Sequence, residues 1–326
     1  MMKNKDRSTR ILVAMDTSNF EYMCIFVAQK RWEKYHSNEA ATVLAEDHWH
    51  TDQENLPDLL NFDSFKKTLR MVVQDKLTSF KSYLKQNHEY ELESASGIDV
   101  VFVLDDTLSS NFRKSLFPEY KAQRKVQGQR FDVGKAKAYI HNVIFKELGL
   151  EDIMGYKIVK VPGCESDDVI AVMMETYKDY MLRVIISSDR DYLQLDDVVQ
   201  YDQWGNKITR TLDESVTTEV LSKNDYLLFK IIFGDTSDNI PHVFEKCGKV
   251  KSYRLVKDKE KLRTLLKEDN NAAERFRLNM SLIDFRYIPE ENRQAIRDIV
   301  GKRLDEDDIS QEADEFDGII ITSTDI

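Results

Sequence analysis

The chain has 326 residues, 41% hydrophobic and 32% charged, with a formal net charge of −11 at pH 7. That length can bury a substantial core in one large domain or two ordinary ones. Cys24, Cys164 and Cys247 are far apart and free of CxxC spacing, which excludes a disulfide framework and a cysteine zinc site.

The basic start MMKNKDRSTR leads only into ILVAM, too brief for a signal-peptide core, and no apolar run of about 18 residues follows. The expected compartment is cytoplasmic, the host cytoplasm for a viral protein, with no membrane partner.

In chain order, ILVAM (11–15), VVFVL (100–104), KIVKV (157–161) and RVIIS (183–187) are short β-rich, mainly apolar runs of the kind a parallel sheet buries on both faces. The polar, acid- and His-containing stretch 37–61 reads as a loop or insertion. Helical spacing follows at Phe62, Phe65, Leu69, Val72, Val73, Leu77, Phe80 and Leu84, and again at Val169, Ile170, Met173, Met174, Tyr177 and Tyr180. Strands alternating with helices predict an α/β fold.

After Leu221 the strand signal fades, and YLLFKIIF, SYRLV, LRTLL and RFRLNMSLI predict mainly helices. The expected division is an α/β domain over 1–220 with a basic region at about 107–137, a helical part over 221–303, and an acidic disordered tail over 304–326.

Charge is unevenly placed. Of the −11, the segment 305–326 holds nine acids and no Lys or Arg, so the rest of the chain carries −2. Residues 113–137 hold eight bases against two acids, a patch suited to phosphates despite the acidic balance. The outer bases Arg130 and Lys137 read as solvated charges.

Acids recur where apolar runs end. Asp16 closes ILVAMD, Asp105 and Asp106 close VVFVLDD, Glu165, Asp167 and Asp168 sit in PGCESDDVIA, Asp189 and Asp191 in SSDRDYLQL, and Asp235 and Asp238 in GDTSDNIP. Most have a plain structural reading: Asp16 as a helix cap, the 165–168 acids as first-turn charge, and Asp189, Asp191, Asp235 and Asp238 as turn formers. Together, carboxylates at several strand ends can converge on one sheet edge, where hard cations such as Mg²⁺ or Mn²⁺ relieve their repulsion.

In that order the motifs, with FRKSLFPEYKAQR between the second and third, resemble the flap endonuclease and 5' nuclease family over residues 11–241, and within it the stand-alone phage 5'-to-3' exonucleases of the phage RNase H type. The resemblance implies a PIN-like core with a mainly parallel sheet, a helical arch, and a C-terminal helix-turn-helix part that grips duplex DNA. It implies two Mg²⁺, with Mn²⁺ substituting. Asp16, one of Asp105 or Asp106, Glu165 and Asp167 would hold the first, with Asp189 shared. Asp191, Asp235 and Asp238 would serve the second, with Asp168 in support. Spacing to Phe112 favours Asp106, while Asp105 follows the strand more directly.

By the same resemblance Tyr120, Lys121 and Arg124 match gateway positions, Lys121 and Arg124 acting on the scissile phosphate, with Arg113, Lys114 and Lys125 as further DNA contacts. Lys246, Lys249 and Lys251 would hold duplex phosphates. The family's Gly-rich hairpin is reduced here to HVFEKCGKVK with Gly248 alone retained, which argues against a potassium ion there.

The implied activity is 5'-to-3' exonuclease and flap endonuclease action with RNA primer removal, by a monomer, on DNA with a 5' flap, nick or RNA primer during replication. A replication clamp or single-strand DNA-binding protein is an expected partner of the tail. The competing readings are a PIN-type single-strand ribonuclease and a catalytically inactive branched-DNA binding protein.

Overall fold

The structure, a computed structural model, describes residues 6–44, 56–106, 111–125 and 130–305. Most of the acidic tail, with the docking expected of it, and residues 107–110 and 126–129 of the basic region lie outside the described residues.

Strand β1 (Arg10–Asp16) is followed by α1 (Thr17–Tyr35), α2 (Ser37–Val43), α3 (Asp63–Asn87) and α4 (Glu89–Ser94). Next come β2 (Gly97–Leu104), α5 (Phe112–Leu116) and α6 (Val133–Tyr139), the last running through a π turn at Ile140–Ile144 into α7 (Phe145–Glu147). Then follow β3 (Lys157–Lys160), α8 (Ser166–Thr176), β4 (Leu182–Ile186) and β5 (Val199–Tyr201). The chain ends in α9 (Lys223–Phe233), α10 (Lys249–Lys257), α11 (Lys259–Glu268), α12 (Asn270–Ile283) and α13 (Glu290–Asp305).

The five strands are parallel, in the order β3-β2-β1-β4-β5. Their apolar runs divide with period two between two cores, as a pleated strand requires. Ile11, Val13, Met15, Phe102, Val184 and Ile186 face one layer, filled by Phe20, Trp32, Phe65 and Phe80 from α1 and α3. Leu12, Ala14, Val101, Val103, Val159 and Ile185 face the other, filled by α8.

The α/β expectation and its four strands hold. Two local readings change. The expected loop over 37–61 contains α2, whose Ala40 is buried, and β5 is a further strand.

The expected helical part is not one separate body. Helices α9 to α12 share their own core around Phe229, Ile232, Val256 and Leu262, but α13 returns to the sheet, its Ile296, Val300 and Leu304 joining the α8 layer. Spacing of four residues on one helix face makes that return possible. Ile296→Ala should therefore cost about 2–5 kcal/mol in denaturant unfolding; a loss of only a few tenths would contradict the packing of α13. Among the described residues no helix is long and apolar enough to cross a membrane.

Candidate metal centre

Parallel pairing brings the C-terminal ends of β1, β2 and β4 to one edge, where Asp16 lies opposite Val103 and Met15 opposite Ile186. Backbone geometry then aims the carboxylates. Asp16 caps α1, accepting from the Asn19 N–H at 3.2 Å, and also accepts from the Ser187 hydroxyl at 2.9 Å. The capping reading of Asp16 is thus correct and leaves its functional reading intact.

Asp105 bridges two helix starts, accepting from Ser18 Oγ at 2.6 Å and Ser166 N–H at 2.7 Å. Its neighbour Asp106 accepts from Gly163 N–H at 2.8 Å and pairs with Lys160 at 3.2 Å. Asp189 caps the short 3₁₀ turn Arg190–Gln194 through the Asp191 N–H.

Asp16, Asp105, Glu165, Asp167 and Asp189 line a cleft of about 670 Å³ together with Lys121 and Arg124. Among the described residues Asp16, Asp105, Asp167 and Asp189 make no ion pair. Burial, then the Asp105 charge, raises the Asp16 carboxyl. Burial, then Asp168, raises Asp167 well above the usual range. Burial, then Asp191, pushes Asp189 up to about 7. Crowded carboxylates raised by burial and by each other are stabilised by a nearby cation.

The other acids are held by bases. Asp191 and Asp235 share Lys230, at 2.8 and 2.6 Å. Asp238 pairs with Arg124 at 2.5 Å and meets the Tyr120 hydroxyl at 3.1 Å. Glu165 pairs with Lys121, with Arg113 at 3.1 Å, and accepts from Tyr120 OH at 2.9 Å. Burial opposes its charge, but Lys121 and then Arg113 outweigh it and hold the carboxyl at about 2.

The turn carrying Asp235 and Asp238 is closed by paired hydrogen bonds between Asp235 and Ile240. It requires Gly234, at φ +72°, where a Cβ would meet the Ile240 and Pro241 carbonyls at 2.5 Å.

Hard oxygen donors suit Mg²⁺ or Mn²⁺. One carboxylate oxygen from each of Glu165, Asp167 and Asp168 falls within 4.8 Å of the others. Asp168, however, is 1% exposed and gives both its oxygens to Arg113, so the donors facing the cleft are Glu165 and Asp167. The donor set fits divalent cations.

Of the expected DNA contacts, Arg113 is 3% exposed and turned inward, away from any phosphate in the cleft. Lys114, Lys246 and Lys251 are exposed; Lys249 is exposed but paired with Asp213. The side chain of Lys125 lies outside the described residues.

Sequence reading missed Tyr22 and Phe26, 42% and 45% exposed, which stack at 6.2 Å on α1 and line the cleft. Spacing of four on a helix facing the site was the available signal. It also took Arg130 and Lys137 as solvated, yet Arg130 lines the cleft and Lys137 reaches Ser18 Oγ at 3.1 Å and the Tyr22 ring at 4.0 Å.

A carboxylate cleft at the C-terminal edge of a parallel sheet is thus faced by Lys121 and Arg124 of the basic segment. Residues 71–222 match the family of the 5'-3' exonuclease N-terminal, resolvase-like domain. Over those residues, just under half of its length, the chain is similar to that family's domain.

It is 32% identical over 176 residues to the thermostable DNA polymerase I of Thermus thermophilus, covering 52% of this chain and 19% of the relative. It is 31% identical over 143 residues to a 5'-3' exonuclease of Mycoplasmopsis pulmonis, covering 43% of this chain and 45% of that protein. The chain thus spans about a fifth of the polymerase and less than half of the exonuclease. The bacteriophage T5 D15 flap endonuclease, solved with DNA and metal ions, matches with a TM-score of 0.54 over 90% of this chain and 100% of its own, at 18% identity, a likeness of fold.

Proposed function

We propose that the chain is a metal-dependent, structure-specific 5' nuclease that hydrolyses a phosphodiester near a 5' end, acting as 5'-to-3' exonuclease and flap endonuclease in replication, RNA primer removal included. The observation that carries this is the cleft itself: five carboxylates from three strand ends and one helix start, opposed by Lys121 and Arg124. Asp16, Asp105, Glu165, Asp167 and Asp189 would hold the cations at the sheet edge, and Asp191, Asp235 and Asp238 would serve a second position, partly through water. Mg²⁺, or Mn²⁺ in its place, supplies a hydroxide at neutral pH and neutralises charge on the phosphate and leaving oxygen when bound.

Lys121 and Arg124 now occupy carboxylates, and an entering phosphate offers them an anion of the same kind, so they orient the scissile group and stabilise its charge. Lys246, Lys249 and Lys251 hold duplex backbone from the helical part. Three buried free cysteines suit a reducing, cytoplasmic setting.

Tyr22 and Phe26 offer ring faces to unpaired bases of the 5' strand. Replacing both with Ala should weaken binding of a 5'-flap duplex by about 1–3 kcal/mol per stacked base and leave binding of a blunt duplex unchanged; equal loss on both substrates would remove the stacking role. Comparing cleavage of a flap duplex with that of single-stranded RNA tests the function. Preference for the flap is expected, and preference for the RNA would favour a PIN-type ribonuclease instead.

A further inference from the structure

Arg113 lies in the basic segment, and its guanidinium is spent inside the protein. Nη1 donates to Asp168 Oδ2 at 2.9 Å and to Glu165 Oε2 at 3.1 Å, Nη2 donates to Asp168 Oδ1 at 2.7 Å, and Nε donates to the Leu282 carbonyl at 2.8 Å. Four of its five N–H donors are thereby used. These partners belong to different parts of the fold: Arg113 is on α5 at the base of the basic segment, Asp168 and Glu165 are at the start of α8, and Leu282 is at the end of α12.

We propose that Arg113 is a positioning residue that fastens the base of the basic segment, the carboxylate helix and the helical C-terminal part together, keeping Asp168 out of the metal-binding set and Glu165 at the cleft. This rests on the nuclease reading above and deepens it. The fork on Asp168 fixes the first turn of α8, and with it the direction of Glu165 and Asp167. A lysine would keep the charge but could not make two parallel bonds to one carboxylate and reach a carbonyl on α12 as well. Tyr120, 2% exposed and bonded to Glu165, packs in the cluster that contains Leu282, so the same joint extends to the gateway.

The test uses the full chain with Arg113→Lys, Arg113→Gln, Asp168→Asn and the Arg113→Gln/Asp168→Asn double variant. Mn²⁺ affinity, read by calorimetry without DNA, should fall about 10- to 100-fold in both Arg113 variants, the usual effect of losing a group that orients a ligand. The unfolding midpoint of the double variant should be no lower than that of the worse single variant, because each single change strands a buried charge. Binding of a 5'-flap duplex in Ca²⁺ should keep its salt dependence.

A fall of about 1 in the slope of log affinity against log salt would make Arg113 a phosphate contact and overturn the proposal. So would additive midpoints, or unchanged Mn²⁺ affinity in folded Arg113→Lys. Failure of the wild-type chain to bind Mn²⁺ at all would instead sink the nuclease reading on which the proposal stands.

Discussion

Asp16→Asn should raise the thermal midpoint of the metal-free protein while lowering cleavage about 10³-fold. Asn is as good a helix cap as Asp, so the bond from Asn19 N–H to Oδ1 survives, while the amide nitrogen replaces Oδ2 and donates to the Ser187 hydroxyl, which turns to accept. What is lost is a buried charge beside Asp105. Because the folded carboxyl is raised above its unfolded value, the folded state binds its proton more tightly, and stability falls as pH rises through the folded pKa. The gain from Asn in EDTA is therefore full well above that pKa and vanishes as the wild-type carboxyl protonates in acid.

Mg²⁺ should reverse the order, stabilising the wild type by mass action and the variant much less. Melting curves across pH, with EDTA and with Mg²⁺, check this. A variant less stable than wild type in EDTA at pH 8, or cleaving normally, would contradict the metal-centre assignment.

Lys121→Ala has the second large effect, a loss of about 10²–10³ in turnover with a modest change in flap binding. Lys121 stands at φ +58°, its N–H on the Asp238 carbonyl at 3.0 Å, and its ammonium on Glu165. This posture places a positive charge between Glu165 and Asp238, whose carboxylate is 3.9 Å away. Alanine leaves Arg113 to hold Glu165, so the fold should persist and the damage should appear in single-turnover rate. A proportionate loss in binding with no loss in rate would assign Lys121 to duplex grip instead.

Much of this was legible in the chain, for physical reasons. Unbroken apolar runs of five residues ending in Asp mark β1 and β2 as strands buried on both faces with acids at one edge, and in β4 the shorter run Val184–Ile186 reaches Asp189 through two serines. The strand β5 escaped because three residues at a sheet edge, just after Asp196 and Asp197, carry no such run. The choice between Asp105 and Asp106 was beyond sequence spacing, since it depends on which carboxylate meets the start of α8 and which meets Lys160.

Arg113 misled for a related reason. A basic segment announces affinity for phosphate, but not which of its members turns inward to a buried acid. The return of α13 to the sheet was written in Ile296, Val300 and Leu304, yet nothing local names the surface that an apolar stripe will cover.

The most direct measurement is cleavage of a 5'-labelled flap duplex with Mg²⁺, with Ca²⁺ and with EDTA, the product length being mapped in each. A cut at or near the junction in Mg²⁺ alone is the predicted result. Retained binding with no cut under any condition would contradict it and leave a branched-DNA binding protein.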